Sequence, residues 1–264
     1  MSDPVLVAVD GPVATITFNR PEKLNAADLA QCHALEAAVA AVGAEPAVRL
    51  VLLRGAGRSF GTGIDRDMLA AGMPPDFMPS HERAYAALED MDKLVVAVLH
   101  GHVLGAGLLA AVACDLRICS TDAVLGLLAA RYGLFPALGT FRLPRLIGLG
   151  PARRLILSGE TVDPAEAYRL GLVDHLVPAE RFDDGVAELV ERYAALSPAA
   201  VAAIKHLTGR AFDTTRDAAL AEAVPLLGDC LAAPDVARAS ATWRARSGRD
   251  GGIMPGWPAG PDLT

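Results

Sequence analysis

The stretch His100–Asp115, HGHVLGAGLLAAVACD, constrains the fold of this chain more than any other. It follows a short apolar run, Leu94 to Leu99, bounded by Lys93. A run of that length, rich in valine and stopped by glycine, predicts a buried strand. Gly101, Gly105 and Gly107 then crowd a turn, and Leu108 to Ala113 continue without a breaker as an Ala- and Leu-rich helix. Strand, glycine turn and helix start leave unpaired backbone N–H groups at the helix N-terminus. Such a terminus favours negative charge, including the oxyanion of a reacting carbonyl. Glycines that only permit close helix packing would give the same letters, so this stretch does not decide between the two by itself.

A membrane span is the other reading of residues 94–114, because they are almost uncharged. Two histidines and three glycines interrupt the run, its flanks lack a basic cluster, and the neighbouring sequence is ordinary for a water-exposed domain. No membrane partner is expected. Over 264 residues the chain is 52% hydrophobic and 21% charged, enough for a sizeable core. A net charge of −7 argues against nucleic acid as the main partner. Cys32, Cys114, Cys119 and Cys230 show no paired metal-ligand spacing, and they read as reduced thiols of a cytoplasmic protein. The first residues, MSDPVLVAVDG, lack the basic and apolar regions of a signal peptide.

Along the chain, Val5–Val9 and Val13–Phe18 flank Asp10-Gly11 as a hairpin. Residues 26–42 carry Leu29, Cys32, Leu35, Val39 and Val42 at helical spacing, and Val48–Leu53 predict a second buried strand. Residues 55–69, GAGRSFGTGIDRDML, then repeat the opening pattern: strand, a turn around Gly61-Thr62-Gly63, and a helix start near Asp65. Repeated units of this kind predict stacking into one continuous core. Met73 to Pro79 reads as a loop and residues 81–92 as a helix with His81, Tyr85, Leu88 and Asp92 on one face. Short strands follow at 116–119, 124–125 and 173–177, with helices at 140–147, 151–157 and 164–170. From Arg181 the chain reads as wholly helical, at 181–196, 198–210, 215–232 and 234–247. The domain reading is a core over 1–195, a helical region over 196–247 and a Gly- and Pro-rich flexible tail over 248–264.

Two glycine turns that each open a helix can offer two N–H donors to one thioester oxygen. Four segments in order carry a resemblance to the enoyl-CoA hydratase/isomerase (crotonase) family. They are NRPEKLNA at 19–26, RSFGTGIDRDM at 58–68, KLVVAVLHGHVLGAGLLAAVACD at 93–115, and GLFPALGTFRLPRLIG at 133–148 with LSGETVDPAEAYRLGLVDHLVP at 157–178. The resemblance runs from about Val5 to Arg210. It implies an α/β fold, a spiral of repeated strand-strand-helix turns followed by a helical trimerisation region. It further implies an acyl-CoA or other acyl-thioester ligand, a homotrimer or dimer of trimers, and no cofactor besides the coenzyme A of the substrate. The backbone N–H groups of Thr62 and Ala106 would form the oxyanion hole. Ala106 stands where the family has a glycine, and the N–H survives that change. Gly63, Ile64 and Asp65 would line the thioester path, with Leu24 and Ala26 near the adenine; Asp65 reads equally as a helix cap.

The departures bear on the chemistry. The two glutamates of the family's hydratases fall at Leu109 and Ala129, and an acid used by some isomerases falls near Ala137. None of these can move a proton, a role worth roughly 10²–10⁴ in rate. Replacement acid–base candidates are His81, Glu82 and Tyr85, each of which also fits a solvated helix face, and Tyr132 beside the second glutamate position. His100 reads as structural, with a ring nitrogen bonded to backbone, and His102 two residues on is ambiguous. The expectation is a lyase- or isomerase-type enzyme that stabilises a thioester enolate without ordinary enoyl hydration. A non-catalytic acyl-thioester binder or partner subunit, and a decarboxylase or thioester hydrolase, remain open.

Overall fold

The computed structural model describes residues 3–247, with the side chains of 242–247 left aside. Six strands form one sheet in the order β1, β2, β3, β4, β6, β9. They are β1 (Val5–Asp10), β2 (Val13–Phe18), β3 (Leu50–Gly55), β4 (Leu94–Leu99), β6 (Leu116–Ser120) and β9 (His175–Val177). The β1–β2 hairpin is antiparallel, and every later pairing in this sheet is parallel. Parallel central strands are covered on both faces, which is why β4 reads LVVAVL with every residue buried. A second sheet orders β5 (His102–Leu104), β7 (Val124–Gly126) and β8 (Thr161–Val162).

The sheet transitions place the glycine turns. After β3 the chain bridges Gly61 to Val103 and Ile64 to Ala27, then enters α2 (Arg66–Ala70). After β4 it switches sheets through Gly101, forms β5, and enters α4 (Ala106–Val112). Helix α1 (Leu29–Ala44), capped by Asp28, which accepts from the Gln31 N–H, packs with α3 (Phe77–Glu89). One apolar core cluster runs from Val5 to Val173. The stacked-unit expectation therefore holds for the core.

Helices α5 (Gly139–Ile147), α6 (Leu149–Ser158), α7 (Pro164–Arg169) and α8 (Phe182–Ala194) complete the first of two compact units, which divide between Leu196 and Ser197. The second unit holds α9 (Pro198–Gly209), α10 (Arg216–Ala232) and α11 (Pro234–Ser247). Within it His206 pairs with Glu222 at 2.7 Å. The expected tail from Gly248 lies outside the described residues. Among the described residues no helix is long and apolar enough to cross a membrane.

Two local readings are corrected. Helix α3 begins at Phe77, not His81, so part of the expected 73–79 loop is its first turn. Phe77 is fully buried, and that burial outweighs the loop signal of the surrounding prolines. The same helix ends at Glu89, which removes Asp92 from the face shared by buried His81, Tyr85 and Leu88.

Candidate active site

Lack of side chains brings the two glycine turns together. A β-carbon on Gly63 would lie 3.8 Å from the Gly105 α-carbon and 3.9 Å from the Ala106 nitrogen. Gly105 itself holds φ 51° and ψ −120° at the head of α4, a conformation that disfavours other residues. Among the described residues the N–H groups of Thr62 and Ala106 enter no backbone hydrogen bond, while Gly61, Leu104 and Gly105 around them are all paired. Thr62 is further fixed by its hydroxyl, which donates to the Leu24 carbonyl at 3.2 Å.

These turns open onto a cavity of about 620 Å³. Leu24, Ala26, Thr62, Gly63, Ile64, Asp65, His81, Ala106, Leu109, Ala129 and Tyr132, all singled out in the sequence, line it. Leu128, Leu134, Phe135, Pro136 and Ala137 extend the wall beside Leu109 and Ala129, so that side is apolar. Leu109 and Ala129 thus face the cavity with hydrocarbon. The δ-methyl of Leu109 uses the room left by Gly139, where a β-carbon would meet it at 2.4 Å.

The acid–base candidates separate. His81 is 3% exposed, lines the cavity, and has no hydrogen-bond partner on either ring nitrogen. Its ring lies between those of Phe77 and Tyr85, with centroids 5.6 Å and 4.2 Å away. Tyr132 lines the cavity but is 65% exposed. Glu82 and Tyr85 do not line it. The Tyr85 hydroxyl donates to the Ala106 carbonyl at 2.8 Å, pinning the first turn of α4, and burial pushes the phenol well above its ordinary value. Glu82 turns instead to Arg142, whose guanidinium donates to it at 2.8 Å. The reading of α3 as a solvated face fails for His81 and Tyr85, because α1 covers them.

Asp65 acts as the cap of α2, accepting from the N–H groups of Asp67 and Met68, and also borders the cavity. Burial opposes its ionisation, yet Arg20 and those two N–H groups hold its carboxyl below the ordinary value. His100 meets the Gly57 carbonyl at 2.9 Å and His102 meets Ser59 Oγ at 3.3 Å, so both rings have structural partners. Among the described residues no cluster of three His, Cys, Asp or Glu is placed to hold a metal ion.

Three residues around the site were not singled out from the sequence. Arg20 bridges Asp28 and Asp65 at 2.9 Å and 2.8 Å. Asn25, in the left-handed region at φ 55°, donates to the carbonyls of Ala56 and Ser59 and so ties the NRPEKLNA segment to the first glycine turn. Arg142 is 7% exposed and bridges α5 to α3. A signal for Arg142 exists: it falls at core spacing with Gly139, Leu143 and Ile147.

Comparison with known proteins agrees with this architecture. The sequence description of the family "Enoyl-CoA hydratase/isomerase" matches residues 9–242. The chain is 30% identical over 236 residues to the crotonyl-CoA hydratase of Syntrophomonas wolfei, covering 88% of this chain and 91% of that one. It is 36% identical over 213 residues to the (E)-benzylidenesuccinyl-CoA hydratase of Thauera aromatica, covering 76% and 80%. The crystal structure of an enoyl-CoA hydratase from Mycobacterium smegmatis superposes with a TM-score of 0.87 at 28% identity, covering 93% of this chain and 98% of that one. With a crotonase-type fold and matches along most of its length, the chain belongs to the enoyl-CoA hydratase/isomerase family.

Proposed function

We propose that this protein is an acyl-CoA enzyme that stabilises a thioester enolate, with the Thr62 and Ala106 N–H groups as oxyanion donors and His81 as the proton-transfer residue. One observation carries the reading: two N–H groups outside the backbone hydrogen-bond pattern and a buried imidazole without a hydrogen bond border the same cavity. The thioester oxygen would accept from both N–H groups. A neutral His81 nitrogen would take the α-proton, the C–H electron pair would form a bond between Cα and the carbonyl carbon, and the carbonyl π pair would move to oxygen. Once the imidazolium has traded that proton with solvent, delivery to Cα completes an exchange; delivery of the proton to the γ-carbon of an unsaturated chain completes an isomerisation. An oxyanion donor is worth about 2.7–4 kcal/mol and a placed acid–base group roughly 10²–10⁴ in rate.

The apolar wall formed by Leu109, Ala129 and Phe135 favours a hydrocarbon acyl group. Leu24 and Ala26 would lie toward the adenine, and coenzyme A would enter as part of the substrate. Hydrocarbon at Leu109 and Ala129 also favours a second reading, a non-catalytic acyl-thioester binder. The two part on butyryl-CoA in deuterated water, followed by NMR. The enzyme reading expects α-proton exchange that slows by about 10²–10⁴ in His81→Gln. Binding without exchange in the parent overturns it in favour of the binder.

A further inference from the structure

We infer that Glu82, clamped by Arg142, is a positioning residue that fixes the tautomer and charge response of His81; this rests on the proposed role of His81 as the proton-transfer group. Glu82 Oε1 is buried and has no hydrogen-bond partner, the same condition as both nitrogens of His81. These orphans face each other: Oε1 lies 3.8 Å from His81 Nδ1. The second oxygen of Glu82 cannot swing away, because Arg142 Nη1 donates to it at 2.8 Å. Arg142 is held in turn by a two-point contact with Glu89, at 2.7 Å and 2.8 Å. A carboxylate anchored on one oxygen thus presents its other oxygen to one specific ring nitrogen.

Closing that gap by roughly 1 Å makes a hydrogen bond of ordinary length. Nδ1 then carries the proton, and the lone pair sits on Nε2. The same carboxylate stabilises the imidazolium formed when the ring accepts a proton. Burial works against ionisation of Glu82, but His81 and Arg142 together hold its carboxyl below the ordinary value, so it is anionic at neutral pH.

Among the described residues no other neighbour offers His81 a free carboxylate. Tyr85 on α3 and Cys32 on α1, which share a small void with His81, are kept neutral by burial, the thiol being pushed up to about 12. Gln31, whose Nε2 is also buried without a hydrogen-bond partner, borders the same void as a neutral amide. Across the main cavity Asp65 is satisfied by Arg20, His102 meets Ser59, and Lys23 pairs with Asp67. Arg66 and Tyr132 also line that cavity, and neither makes a hydrogen bond to His81.

The full-length chain tests this with two substitutions and two readouts. Arg142 keeps its two-point contact with Glu89 in either variant, so its buried charge stays paired. In Glu82→Gln the negative charge goes and, because Arg142 still donates to the amide oxygen, the NH2 group rather than an acceptor faces Nδ1. Exchange of butyryl-CoA needs the neutral ring, and the lost charge makes the imidazolium less stable. The rise of exchange with pH should therefore move to lower pH, with a plateau lower by on the order of tenfold. In Glu82→Leu both charge and acceptor go. Long-range ¹H–¹⁵N NMR of the His81 ring, assigned by difference from His81→Gln, should show the Nδ1–H tautomer in the parent and its loss in the leucine variant. An unchanged pH profile in Glu82→Gln together with an unchanged tautomer in Glu82→Leu overturns the inference. If the parent shows no exchange but the tautomer still depends on Glu82, the positioning role stands and the proposed enolate chemistry falls.

Discussion

A β-carbon on Gly107 would lie 2.4 Å from the Gly61 carbonyl oxygen. The contact is reciprocal, since one on Gly61 would lie 3.2 Å from the Gly107 α-carbon. The start of α4 and the turn after β3 thus touch through bare backbone, which sets the separation of the Thr62 and Ala106 peptides. Gly107→Ala should force the turns apart, because backbone rather than a flexible side chain blocks the new methyl. Overpacking of this kind costs about 1–3 kcal/mol. Gly139→Ala meets the Leu109 δ-methyl at the same 2.4 Å, but that group can rotate away. Urea unfolding should rank Gly107→Ala well below Gly139→Ala in stability, and equal midpoints would contradict this account of the turn contact.

Arg20 serves two carboxylates, Asp28 and Asp65, and only Asp65 is buried. With the folded Asp65 carboxyl below its ordinary value, its contribution is fully present above the unfolded value, near 3.9. It is lost as pH falls through the lower folded value. Arg20→Met leaves two carboxylates without their cation and should lower stability at pH 7 by about 3 kcal/mol. The gap between parent and variant should narrow between pH 7 and pH 2 as the Asp65 carboxyl takes up its proton. Denaturant midpoints at the two pH values measure it, and an unchanged gap would remove Arg20–Asp65 as the source.

Much of this architecture is legible in the sequence because glycine placement and apolar runs are local signals. The β4 run and the turns at Gly61 and Gly105 fall where those signals place them, and Asp65 is the cap its position suggests. The start of α3 is hidden because Pro74, Pro75 and Pro79 all signal a loop, whereas the burial of Phe77 among them decides for helix. The separation of His81 from Glu82 is hidden for another reason. Adjacent helical positions point about 100° apart, and only the packing of α1 and α5 shows which one meets the cavity and which meets Arg142.

Hydration should be negligible in the parent. Leu109 and Ala129 border the cavity where an acid–base pair would have to act, and neither side chain can exchange a proton. A spectrophotometric assay with crotonyl-CoA should find turnover far below about 10 s⁻¹, the median for enzymes. Turnover near that median would mean that another residue activates water.

The prediction for assembly rests on α10. Leu220, Val224, Leu227 and Leu231 are 60–63% exposed and fall at helical spacing, a stripe that the isolated chain leaves in water. With the family's helical region as precedent in sequence, a trimer or dimer of trimers is expected. Light scattering at micromolar concentration should report a multiple of three, and Leu227→Asp should reduce the mass. A parent that scatters only as a monomer would refute the assembly.

The Thr62–Ala106 pair can be tested at one atom. Ala106 is the first residue of α4, a position where proline suits the helix and where the missing N–H breaks no helical hydrogen bond. Gly105, at ψ −120°, is outside the right-handed helical region that a following proline disfavours. Ala106→Pro should therefore fold, which circular dichroism and oligomer size check directly. Free coenzyme A should bind with unchanged affinity, since its nucleotide would lie toward Leu24 and Ala26. Exchange of butyryl-CoA α-protons should fall by about 10²–10³, the usual cost of one oxyanion donor. Ala106→Gly keeps the N–H and should retain the parent rate. Equal exchange in the parent and the proline variant would mean that the Ala106 N–H does not hold the thioester oxygen.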